Sequence, residues 1–119
     1  MECPTSAIAD LIGKKWTIVL LQEIALNRDK GFNFIHERMQ HVSPKILSKR
    51  LCELEKFGII RKQAVAGAQM RTKYRLTEKG RALYAIANDI KLWNVKYGQA
   101  PAGCEKRECV KCEFYRITA

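Results

Sequence analysis

At 119 residues with a net charge of +10, the chain is long enough for one modest domain and strongly biased towards acidic partners. It contains no apolar run of membrane-spanning length and no signal-peptide pattern, which excludes a spanning protein and points to the cytoplasm. A Ser/His/Asp set, a glycine-rich phosphate loop and paired carboxylates are all absent, and nothing places His36 or His41 beside a cysteine nucleophile, so an enzyme is not expected.

Elements follow in order. Thr5 or Ser6 can cap a short helix, Ser6–Ile12, with Ile8, Leu11 and Ile12 on one face, broken by Gly13. A second helix, Trp16 to about Leu26, carries too many apolar residues for one stripe and is expected at the centre of the core. Asn27 to Gly31 is turn-like, and Phe32 is expected to add a short strand. Asn33 can cap a third helix, Phe34 to about Gln40. His41 and Val42 then form a turn of the length found in helix-turn-helix units.

Ser43 caps the next helix and Pro44 falls at its first position, where a missing N–H costs nothing. Leu47, Leu51 and Leu54 make its buried stripe, and Gly58 follows Phe57 at the left-handed stop. Ile59–Val65 and Arg71–Leu76 read as strands joined by a turn, Ala66 to Met70. Thr77 caps a long last helix, Glu78–Tyr97, whose wide apolar face (Leu83, Ile86, Ala87, Ile90, Trp93, Tyr97) needs a cover. The first helix supplies part of it, and a second copy of the chain the rest. This is a mainly α fold with a small β-wing: a winged helix-turn-helix of about five helices plus a two- or three-stranded antiparallel sheet. Residues 1–98 are expected to form the DNA-binding and dimerisation domain, and 99–119 a cysteine-rich tail.

Charge placement supports the same reading. Residues 1–43 sum to zero, residues 44–75 carry nine basic side chains against Glu53 and Glu55, a net +7, and the remainder carries +3. The surplus sits on the helix that begins at Ser43 and on the hairpin, where double-stranded DNA is the natural partner. Lys45 and Lys49 are assigned to guanine edges or phosphates, with Ser43 beside them and Ser48 able to serve either. Arg50 is placed within reach of the DNA backbone, and Gln69, Arg71 and Lys73 of the wing towards phosphate or the minor groove.

Five cysteines in a chain of this kind do not suggest a disulfide framework. The run Cys104-x4-Cys109-x2-Cys112, with Cys3 as a distant fourth ligand, suits zinc or an iron–sulfur cluster. Reversible disulfides among the same residues, a switch without metal, are the alternative; a small metal or electron-transfer module is a third reading, which leaves the basic helix and wing unexplained. Cys52, one residue after Leu51, is expected to be partly buried and inert.

Several segments resemble the HxlR-type transcriptional regulators, relatives of the MarR group: Cys3-Pro4, Leu11 to Thr17 (LIGKKWT), Phe32 to Ile35 (FNFI), Ser43 to Leu51 (SPKILSKRL), Glu53 to Ile60 (ELEKFGII) and Tyr74 to Gly80 (YRLTEKG). The resemblance implies a cytoplasmic homodimeric DNA-binding regulator whose first and last helices form the dimer interface. It also implies that Cys3 matches the N-terminal cysteine that several relatives use as a thiol sensor. The three tail cysteines depart from the family's pattern.

Overall fold

A computed structural model describes residues 2–65, 71–98, 100–101, 103–106 and 108–109. Five α-helices and one two-stranded sheet follow in chain order: α1 (Pro4–Gly13), α2 (Thr17–Leu26), α3 (Phe32–Arg38), α4 (Pro44–Lys56), β1 (Ile60–Val65), β2 (Arg71–Leu76) and α5 (Glu78–Tyr97), then a single 3-10 turn at Cys104–Lys106. The architecture is a winged helix-turn-helix, as the sequence indicates.

α2 is the element the others pack around. Val19, Leu20, Leu21 and Ile24 are buried together with Thr17, Gln22 and Glu23. Leu47, Leu51 and Leu54 bring α4 into the same core, each contributing about 1.5–3 kcal/mol by leaving water. Ile60 of β1 and Tyr74 and Leu76 of β2 close the core beneath the wing. The strands are antiparallel, in register from Ile60 opposite Leu76 to Val65 opposite Arg71. The turn expected at Ala66 to Met70 lies outside the described residues.

Sequence and structure disagree at several ends. α1 starts at Pro4, with Cys3 rather than Thr5 or Ser6 at the N-cap: proline at the first position is preorganised for a helix and needs no donor. Trp16 is the left-handed N-cap of α2 and not its first turn. α3 begins at Phe32, two residues early, and ends before Met39, so Phe32 is helical. The extra pairing with the wing comes instead from Lys30, whose carbonyl accepts a hydrogen bond from the Tyr74 amide at 3.0 Å.

Two glycines are required by backbone geometry. Gly58 has φ +75, the left-handed stop of α4. Gly80, in the first turn of α5, lies so close to β1 that a Cβ there would sit 2.0 Å from the Ile59 carbonyl oxygen. Thr77 fixes that turn: its hydroxyl accepts from the Gly80 amide at 3.0 Å and donates to the carbonyl of Ile59 at 3.1 Å.

Candidate nucleic-acid interface

The interface is built on α4. Ser43 Oγ accepts from the Ile46 amide at 3.2 Å, which satisfies one of the free donors of the first turn. With the leucine stripe turned inward, Ser43, Lys45, Ser48 and Lys49 are all exposed. They share the outer side of the first two turns, on a rod whose diameter suits the major groove.

Arg50 is placed elsewhere. Its Nε donates to the Lys15 carbonyl at 3.0 Å and its Nη1 to Glu53 at 2.7 Å. Lys14 also donates to Glu53. Burial opposes ionisation of Glu53, but these two hydrogen bonds outweigh it and hold the carboxyl below its ordinary range. The Arg50 guanidinium therefore joins α4 to the end of α1 and braces the recognition helix from behind.

In the wing, strand alternation puts Lys73 and Arg75 on the face opposite Tyr74 and Leu76. Lys73 is partly exposed. Of Arg71 only the backbone is described, and Gln69 lies outside the described residues. Arg61 and Lys62 of β1 are exposed as well, and the sequence reading passed over them. The signal was available: β1 and β2 alternate in step, so Arg61 falls opposite Arg75. That like-charged pair is relieved by Asp29, which takes a two-pronged bond from Arg75 at 3.0 and 2.7 Å. The same bond lowers the Asp29 pKa.

The cysteines separate into three environments. Cys3 is exposed at the N-cap of α1, and the backbone amides of Ser6 and Thr5 hold its thiol below the ordinary range. Cys52 is exposed, contrary to the burial expected of it: the leucine at 51 takes the inward position and turns its neighbour out. Cys104 and Cys109 are partly exposed and both line a groove of about 870 Å³ with Trp16, Ile18, Ala87 and Ile90. Cys112 lies outside the described residues. Among the described residues no three His, Cys, Asp or Glu side chains are grouped to hold a metal ion.

A family model for the HxlR-like helix-turn-helix matches residues 11–101. The chain belongs to the HxlR-like helix-turn-helix family. Its HxlR relatives include the uncharacterized HTH-type transcriptional regulator YvaP of Bacillus subtilis, 31% identical over 96 residues, 80% of this chain and 88% of that one. The reduced form of the transcriptional regulator YodB from B. subtilis superposes with a TM-score of 0.74 at 31% identity, covering 83% of this chain and 97% of YodB. The redox regulator HypR, also in its reduced form, gives a TM-score of 0.72 at 28% identity, over 82% and 95% of the two chains. This HxlR protein is thus a DNA-binding transcriptional regulator of the helix-turn-helix type. Among its described residues, no helix is long and apolar enough to cross a membrane.

Proposed function

We propose that the chain works as a homodimer on a pseudo-palindromic DNA site, with one α4 in each of two successive major grooves about 34–36 Å apart, and that thiol chemistry at Cys3 tunes this binding. The observation carrying the reading is the outward set Ser43, Lys45, Ser48 and Lys49 on a helix braced from behind by Arg50. Dimerisation is supported by α5, where Ile86, Ile90, Trp93 and Tyr97 are 44–65% exposed on an element continuous with the core. Thiol control is supported by the exposed, acidified Cys3 at the start of α1 and by the likeness to HypR, a redox regulator.

The zinc or iron–sulfur centre suggested by the cysteine spacing is a second reading. What favours it is that the Cys104 and Cys109 side chains line one groove. Metal analysis and a visible spectrum of anaerobically purified protein test it; metal-free protein with full DNA binding would remove it.

Selection from a random duplex library tests the first reading. Enrichment of an inverted repeat whose half-sites lie about 10–10.5 bp apart, with affinity falling steeply as salt rises, is the expected result. Failure to enrich any sequence, with no salt-dependent binding to duplex, would end it. Addition of a thiol oxidant should then alter affinity for the selected duplex, and by less in Cys3→Ser than in the wild type.

A further inference from the structure

The segment after α5 is bonded to the helix-turn-helix itself. Arg38, the last residue of α3, gives Nε to Glu23 of α2 and Nη2 to the other oxygen of the same carboxylate at 3.2 Å. The same Nη2 lies 2.7 Å from Glu108 of the tail. Glu23 is only 2% exposed, so its charge has to be matched where it stands, and that fixes Arg38. Asn27 adds a further hydrogen bond to the same carboxylate at 3.2 Å. Glu108 therefore docks on a guanidinium that is already rigid.

The path from Arg38 to the recognition helix is short and stiff. Met39 and Val42 are buried, the Val42 amide donates to the Met39 carbonyl at 3.0 Å, and the Val42 carbonyl lies 3.2 Å from His36 Nε2. Ser43 and the cap of α4 follow at once. At the other end of the contact, Cys109 adjoins Glu108 and packs against the core, and Cys104 opens onto the same groove between α2 and α5. The matched family region ends at residue 101, so Cys104, Glu108 and Cys109 lie beyond it while Arg38 and Glu23 lie within it.

We propose that residues 104–106 and 108–109 act as a strap that clamps α3 through Glu108 and Arg38 and passes the chemical state of Cys104 and Cys109 to the recognition helix. The output rests on the regulator reading above; the docking does not. A bulky group added to Sγ of Cys109, whose side chain packs against the core at the edge of the groove, changes how this stretch seats on α2 and α5. The strap then lifts, Glu108 leaves Arg38, and α3 keeps its bond to Glu23 alone. Loss of the Glu108 contact changes the partners of Arg38 at the end of α3, and the change reaches the start of α4 through Met39 and Val42.

The test uses the full-length, reduced protein and N-ethylmaleimide, which bonds the sulfur to one alkene carbon while the thiol proton ends on the other, so no oxidant is consumed. Trypsin cuts after Arg107 and Lys111 and isolates Cys109 on its own peptide, which lets mass spectrometry follow its labelling. Glu108→Gln is compared with Glu105→Gln, an equal change of charge on an exposed carboxylate three residues away. Relative to Glu105→Gln, Glu108→Gln should label Cys109 about fivefold faster and shift the dissociation constant of the selected duplex by about threefold or more. Equal labelling in the two variants would overturn the strap. Faster labelling with unchanged duplex affinity would overturn its coupling to α4. Faster labelling in a protein whose wild type binds no duplex would uphold the docking and overturn the regulator reading. Maleimide treatment of Cys109→Val, which keeps the packed volume and removes the thiol, should leave affinity closer to the untreated value than in the wild type; an identical response would count against Cys109 as a trigger.

Discussion

Lys49 and Arg50 are adjacent in sequence and differ in fate because a helix turns about 100° per residue. Lys49 is exposed, whereas Arg50 turns back to the Lys15 carbonyl and Glu53. The outward position was legible from the leucine stripe. The inward bond of Arg50 was not, since its acceptor stands 35 positions earlier and no local period encodes it. Lys49→Ala should cost about 1–3 kcal/mol on the selected duplex and relax preference at one base pair, as read by anisotropy titrations across single-base variants. An equal loss on every duplex would assign Lys49 to phosphate. Cys3 makes a second case at this scale. Backbone amides favour its thiolate, so the folded pKa lies below the unfolded one, and the thiolate forms at lower pH in the folded protein. The rate of maleimide labelling at Cys3 should rise with a midpoint below that of the denatured chain; coincident midpoints would deny the helix terminus this role.

The elements show which sequence signals suffice. Ser43 with Pro44, Gly58 and Thr77 each marked a boundary that the structure keeps, because each satisfies or permits a specific backbone geometry within a few residues. α1 and α3 start two residues earlier than the sequence suggests because Cys3 and Gly31, their N-caps, make no side-chain cap bond and give no polar signature. The wing's register was readable from alternation, though the Lys30 pairing was not. Gly80 carries a constraint that only the packed structure reveals. In an isolated helix, glycine to alanine is worth roughly 1 kcal/mol of added stability. At Gly80 the new methyl would meet the Ile59 carbonyl oxygen at 2.0 Å, and overpacking of this sort costs about 1–3 kcal/mol. Gly80→Ala should therefore lower the melting temperature. Gly13→Ala, where nothing lies within 4 Å, should hold or raise it. Melts at one protein concentration decide the matter, and equal shifts would dismiss the close approach of α5 to β1.

Over the whole molecule, the charges and the apolar surface divide the work. The cationic surplus lies on α4 and the wing, while α5 leaves Ile86, Ile90, Leu92, Trp93 and Tyr97 at least 43% exposed. Scattered apolar residues on a surface are ordinary, but several large ones along one helix mark an interface. A lone domain would present one recognition helix and read one half-site; the proposed pairing through α5 would fix two at a set separation and make affinity depend on both. Trp93 tests this cleanly, because at 63% exposure it supports little of the domain's own core. Trp93→Glu should leave the far-ultraviolet circular dichroism unchanged and weaken self-association by about hundredfold, roughly 3 kcal/mol for an aromatic anchor replaced by a charge. Sedimentation at micromolar concentrations should then show monomer where the wild type shows dimer. Affinity for a duplex bearing both half-sites should fall towards that for a single half-site. A wild type that sediments as monomer and binds one half-site as tightly as two would move the apolar face of α5 to another partner and leave α4 acting alone.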